Sequence, residues 1–199
     1  IVSIFVNPKQ FNNKKDLKSY PRNLKKDLKI LKKLKVNFVY TPIKNEVYSS
    51  KNKIKIHLSK KDKILCAKYR KGHFEGVIDV MCRLTNIVKP SKIFMGEKDF
   101  QQLILVKKYI ENNFKSKIVL CKTIRDKNKL ALSSRNLLLK KSNQIKAGKI
   151  AKTLISFKKK FFKRKITKKL ILTKKKELEK LYGVNIEYLE LRNRKNLKL

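Results

Sequence analysis

Residues 92–113, KIFMGEKDFQQLILVKKYIENN, decide the fold. KIFM at 92–95 reads as a hydrophobic strand that runs straight into Gly96-Glu97-Lys98-Asp99. The sequence that follows, 100–113, has apolar residues at helical spacing and predicts a helix. Residues 117–121 (KIVLC) predict a second strand, which completes a strand–helix–strand unit. A glycine turn at the carboxyl end of a strand, feeding a helix N-terminus, is where open α/β sheets receive anionic ligands. Lys98 adds a point charge at that place, where the helix dipole already favours anions.

About thirty residues on, LALSSRN (130–136) offers two hydroxyls and a guanidinium, Ser133, Ser134 and Arg135. Hydrogen-bond donors beside a bidentate cation suit a polyphosphate. The two segments together point to a nucleotide-using enzyme.

On the amino-terminal side, IVSIFV (1–6) is a continuous apolar run of the kind found in buried parallel strands, and it stops at Asn7-Pro8. Leu24, Leu28, Leu31 and Leu34 predict a helix over 23–34, and VNFVY (36–40) a second strand. Residues 43–63 read as polar loop with a short strand at KIKIHL (53–58). Val77, Val80, Met81, Leu84, Ile87 and Val88 share one helical face in 76–89, which Pro90 ends. Beyond about 140 the character changes: 143–182 is lysine-rich helical sequence, and VNIEYLEL (184–191) alternates like a strand. The reading is one α/β domain over 1–141 and a smaller α+β domain over 142–199.

The charge balance excludes less than it suggests. Lys+Arg 55 against Asp+Glu 14 leaves +41 in 199 residues. The surplus is 47 lysines and 8 arginines spread over almost every element, with no Trp and few Gly. Nucleic-acid readers instead cluster Arg and Lys with aromatics on one face. The bias therefore reads as compositional drift, with a basic nucleic-acid binder kept as an alternative. An apolar fraction of 41% supports a genuine core. Cys66, Cys82 and Cys121 have neither disulfide nor zinc spacing, which fits a reducing cytoplasm. Cys82 falls on the apolar helical face as a buried small hydrophobe. No segment is long and apolar enough to cross a membrane, and no metal-ligand cluster is apparent.

VSIFVNPKQF, DLKSYPR, GHFEGV, NIVKP, FMGEKDFQQL and LALSSRN, in that order, resemble the pantothenate synthetase (pantoate–β-alanine ligase) family. The resemblance implies a Rossmann-like nucleotidyltransferase domain with a parallel sheet, of the HIGH/KMSKS superfamily type, plus a small carboxyl-terminal lid. It implies ATP as co-substrate with Mg²⁺, pantoate and β-alanine as substrates, and a homodimer. It also implies a pantoyl-adenylate intermediate, with release of pyrophosphate and AMP. Carried over residue by residue, ATP would meet Gly96, Glu97, Lys98 and Asp99, with Ile124 at the adenine. Leu132, Ser133, Ser134 and Arg135 would form a phosphate loop. Catalysis would rest on Lys98, Ser133, Ser134 and Arg135. Gln10 and Gln102 would hold pantoate, with Asn7, Tyr20 and Arg70 as lesser contacts.

Plainer roles stand beside these. Asn7 can form an Asx turn, Asp99 can cap a helix, and Ser133 and Ser134 can be N-caps. His73 fits a structural role and His57 a surface strand. The family's first strand and its MGxLHxGH segment are expected upstream of Ile1, and further lid strands beyond Leu199. An inactive or truncated remnant is therefore a second alternative. Lys71 and Ser49 stand where the family prefers Pro. Asn128-Lys129 replace a usual Asp-Gly, which would stiffen the loop before Leu132.

Overall fold

The computed structural model describes residues 1–49, 56–160 and 166–199. These divide into two compact units, Ile1–Cys121 and Lys122–Leu199. The reading above parted the chain at 141–142; by packing, segment 123–139 goes with the helix that follows it. Gln144 Nε2 donates to the carbonyls of Asn136 and Leu139, both at 3.0 Å, and Gly148 lies against Asn128.

The first unit holds two parallel strand pairs. In chain order its elements are β1 (Val2–Ser3), α1 (Lys14–Ser19), α2 (Leu24–Lys33), β2 (Val39–Tyr40), α3 (Lys44–Val47) and α4 (Cys66–Tyr69). They continue with α5 (His73–Val88), β3 (Lys92–Gly96), α6 (Phe100–Asn113) and β4 (Lys117–Cys121). β3 and β4 pair in parallel from Lys92↔Lys117 to Gly96↔Cys121, with α6 as the crossover such a pair needs. The expected helix 100–113 and the strand 117–121 form as read. β3 extends one residue beyond its expected end, and α5 starts three residues before its expected beginning.

Both amino-terminal strands are shorter than expected. β1 pairs with β2 through Val2↔Val39 and Ser3↔Tyr40, and Ile4 N–H still donates to the Tyr40 carbonyl at 2.8 Å. The ladder then ends because the chain turns at Asn7. At 36–40, Val36 N–H is taken by the Leu31 carbonyl at 3.1 Å, closing α2, so only Val39–Tyr40 are left to pair. Between β1 and β3 lies a cavity of about 350 Å³ with largely apolar walls, Met81, Leu84, Val88 and Ile93 among them.

The core of this unit joins one face of α5 to α6 and β4. Phe74, Val77, Ile78 and Cys82 pack with Leu105, Val106, Ile110 and Ile118, all buried. Cys82 is 1% exposed, as its place on the apolar face implied. Lys89, in the left-handed conformation ahead of Pro90, stops α5. The strand expected at 53–58 lies partly outside the described residues; Ile56–Leu58 belong to no strand, and His57 is exposed.

The second unit holds α7 (Lys141–Lys160) and α8 (Lys168–Tyr182). Gly148 and Leu178 are their buried residues, which makes a far thinner core. Thr167 caps α8 by accepting Leu170 N–H, and Gly183, at φ 56°, ends it. The strand expected at 184–191 does not form among the described residues. Ile186 N–H instead goes to the Glu179 carboxylate at 2.9 Å, and no second strand lies alongside to complete a ladder.

Candidate active site

At the carboxyl end of β3 the chain makes a tight 3-10 turn, Glu97–Asp99, before α6. Gly96 has ordinary extended geometry, φ −73° and ψ 135°, and a Cβ there would meet nothing within 4 Å. Neither backbone strain nor packing asks for glycine at this position. Glycine there leaves the backbone at the end of β3 open. Asp99 occupies the N-cap of α6 without capping it through its side chain. Its carboxylate instead takes Lys98 Nζ at 3.0 and 3.2 Å, both groups well exposed. The ammonium is thus held at a helix N-terminus by a single exposed carboxylate, a partner that an incoming phosphate could replace.

Gln102, in the first turn of α6, is half-buried. Its neighbour Gln101 is buried, and its Nε2 donates to the carbonyls of Asp62 (3.2 Å) and Ile64 (2.8 Å). Gln101 Oε1 is enclosed with no hydrogen-bond partner among the described residues.

Gln10 sits at the end of a second 3-10 turn, Pro8–Gln10, whose conformation is set by Asn7. Asn7 is 2% exposed, and all its amide capacity is used. Oδ1 accepts Lys9 N–H at 3.1 Å and the Tyr48 hydroxyl at 2.8 Å. Nδ2 donates to the Gly76 carbonyl at 3.0 Å and, at a long 3.5 Å, to Gln10 Oε1. The Asx-turn reading of Asn7 therefore holds, and through it Asn7 orients Gln10.

The turn lies hard against α5. A Cβ on Gly76 would stand 2.4 Å from the Lys9 carbonyl oxygen, so only glycine permits this approach. His73 Nδ1 lies 2.6 Å from the Gln10 carbonyl and donates to it, the structural role expected of that histidine. Tyr20 ends α1 and stacks edge-on against Phe11, ring centroids 5.6 Å apart. Arg70 is exposed at the end of α4, where its N–H donates to the Cys66 carbonyl.

Sequence reasoning missed a buried charged cluster behind this turn. Asp79 on α5 pairs with Arg83 Nε at 2.6 Å and Lys9 Nζ at 2.9 Å. Lys9 Nζ stands 4.0 Å from the centroid of the Tyr48 ring, and Arg83 Cζ 4.8 Å from it. Burial, then the Asp79 charge, pushes the Tyr48 hydroxyl well above its ordinary range, so it stays a proton donor to Asn7. The same causes push the Cys82 thiol up to about 12, which removes it as a nucleophile. The legible signal was an Asp and an Arg four residues apart within an otherwise largely apolar helix.

In the second unit the expected nucleotide residues lie along one hairpin-like segment. Arg125 and Ala131 form an antiparallel bridge, and Leu132 N–H donates to the Ile124 carbonyl at 3.0 Å. Ile124 and Leu132, 67% and 56% exposed, are thus brought together. Asp126 Oδ1 organises the tip by accepting the N–H groups of Asn128 (2.8 Å) and Leu130 (2.9 Å). Lys129 is forced to φ 69°, the region that glycine takes freely. Ser133 caps the following 3-10 helix, Ser134–Leu138, accepting Arg135 N–H at 3.3 Å. Ser134 and Arg135 are exposed. No group of three or more His, Cys, Asp or Glu among the described residues could hold a metal ion.

The chain matches the family described as Pantoate-beta-alanine ligase over residues 1–199. It is 39% identical over 196 residues to a pantothenate synthetase of Endomicrobium trichonymphae, covering 97% of this chain and 68% of that protein. It superposes on the crystal structure of pantothenate synthetase from Thermus thermophilus with a TM-score of 0.89 at 28% identity. That match covers 98% of this chain and 71% of the other. A third similar protein is the pantoate-beta-alanine ligase of Francisella tularensis, whose crystal structure is complexed with beta-gamma ATP and beta-alanine. Its TM-score is 0.80 at 32% identity, covering 96% of this chain and 70% of that one.

Proposed function

The chain belongs to the pantoate–β-alanine ligase family, and we propose on that footing a two-step reaction with the residues described above in defined roles. In the first step the pantoate carboxylate attacks the α-phosphorus of ATP. A new P–O bond forms, the bond to the β-phosphate oxygen breaks, and pyrophosphate leaves. In the second step the amine of β-alanine attacks the acyl carbon of pantoyl adenylate; AMP departs and an amide forms. A proton is lost from the amine.

The observation that carries this reading is the end of β3. Gly96 leaves room that no chain constraint requires, and Lys98 stands at the α6 N-terminus with a replaceable partner. Phosphoryl chemistry needs positioning and charge stabilisation more than covalent help from the protein. Lys98 supplies a cation to the phosphates as charge moves to the departing pyrophosphate. Arg135, Ser133 and Ser134 offer a guanidinium and two hydroxyls suited to phosphate oxygens. Gln10 and Gln102 hold pantoate by amide hydrogen bonds, and Asp99, once released from Lys98, contacts the nucleotide ribose. Ile124 and Leu132 give the adenine an apolar surface. Tyr20 and Arg70 are lesser substrate contacts.

Mg²⁺ would be held by the ATP phosphates, whose oxygens suit a small hard cation, and would offset their charge. A cytoplasmic homodimer belongs to the same proposal.

Pantoate-dependent exchange of labelled pyrophosphate into ATP tests the reading. The expected result is exchange that requires pantoate and drops roughly 10²–10³-fold in Lys98→Ala. Exchange that persists without pantoate, or survives Lys98→Ala unchanged, overturns it.

A further inference from the structure

We infer that Asp79 is a positioning residue for Gln10, acting through the Lys9–Tyr48–Asn7 cluster; the inference rests on the proposed role of Gln10 in holding pantoate. Asp79 is only 5% exposed, on the side of α5 turned away from the Phe74, Val77 and Cys82 core face. A carboxylate there loses its hydration, and buried ion pairs are often no more stabilising than well-packed apolar residues. Stability alone therefore gives α5 little reason to carry it. Its contacts give another reason.

One oxygen takes Lys9, the residue directly before Gln10, and the other takes Arg83. Both cations are thereby held against the Tyr48 ring. Arg83 is anchored at its far side as well, with Nη1 donating to the Val47 carbonyl at 3.4 Å, next to Tyr48. With its ring so placed, Tyr48 directs its hydroxyl to Asn7 Oδ1. That bond fixes which way the Asn7 amide faces, so its Nδ2 points to Gly76 and to Gln10 Oε1. Engaged at Oε1, the Gln10 amide presents its NH₂ group as the donor for a substrate oxygen. Gly76 and His73 hold the backbone of the turn as well. The Asp79 cluster thus acts on the turn through the side-chain amides.

The test has two arms on the full chain. In ¹H–¹⁵N spectra, the side-chain NH₂ signals of Asn7 and Gln10 should shift in Asp79→Asn, while the backbone signals of α6 and β4 stay in place. Lys9→Met, at a side chain 49% exposed, should shift the same signals and secures the test if Asp79→Asn fails to fold. Unmoved signals in a folded variant overturn the inference. In the second arm pantoate is titrated into the same proteins by calorimetry. Each variant should bind roughly tenfold more weakly, the double variant no more weakly than either single one. Losses that instead multiply in the double variant overturn the proposed line of coupling. A wild-type chain that ignores pantoate overturns the function proposed for Gln10, while the NH₂ signals still decide whether Asp79 positions it.

Discussion

In the turn Asn7–Gln10 the chain spends every polar group of a buried asparagine on itself, adds a histidine bond to the backbone and packs the whole against a glycine. At Leu132–Arg135 the chain leaves more in the open. Ser133 caps one turn, α7 holds the carbonyls of Asn136 and Leu139, and Leu132 and Arg135 stand exposed. The two segments carry opposite halves of the proposed chemistry. A small, weakly charged substrate such as pantoate gives little binding energy to spend on ordering a site, so its receptor is best built beforehand. A polyphosphate brings enough charge to organise its own donors.

The contrast is sharpest with Arg135→Ala. Adenylation should fall roughly 10²–10³-fold, far more than any shift in the urea midpoint accounts for. A variant that loses its fold instead would show that the 133–135 segment is a structural element after all. Gly76→Ala should do the reverse. With the Lys9 backbone in the way of a Cβ, the loss is about 1–3 kcal/mol of stability, with weakened pantoate binding and an unaltered affinity for ATP. Chemical denaturation and separate titrations of the two ligands read this out. An alanine variant of wild-type stability would break the claim that the turn is over-determined.

Lys129→Gly probes the looser segment. Removing a side chain from φ 69° should stabilise the tip by up to about 1 kcal/mol, part of it lost again to the greater entropy of glycine when unfolded. Protection of the Leu130 and Leu132 amides against hydrogen exchange should rise; reduced protection would mean that Lys129 makes a contribution its backbone does not show.

The last effect lies on the alkaline limb of stability. The Cys82 thiol is raised from 9.0 to about 12, so the folded state keeps a proton that the unfolded chain gives up earlier. This contribution is intact below the unfolded value and is lost as pH rises toward the folded one. The stability difference between wild type and Cys82→Ala should therefore shrink between about pH 9 and 11 as measured in urea. A constant difference would place the alkaline loss elsewhere, with Tyr48 the first candidate.

Much of this was readable in advance, for reasons that differ by residue. β3, α6 and β4 combine strong apolar periodicity with a local turn, so short-range physics is enough to place them, and 100–113 and 117–121 form as read. VNIEYLEL shows the limit. Its alternation is that of a strand, but a ladder needs a neighbouring chain, and its own residues cannot provide one. The nucleotide and substrate residues are legible only as an ordered set of motifs, because segments far apart in the chain carry them.

Alone, the amino-acid sequence determined the helix-forming faces, the glycine turn after β3 and the order of motifs that marks the family, since each depends on neighbours close in the chain. Only the tertiary structure decided that Asn7 orients Gln10 with no hydrogen-bonding capacity to spare, that Gly76 is a steric necessity and that Asp79 joins Lys9 to Arg83. Those facts depend on atoms about seventy positions apart meeting at hydrogen-bond distance, and no local pattern encodes such a meeting.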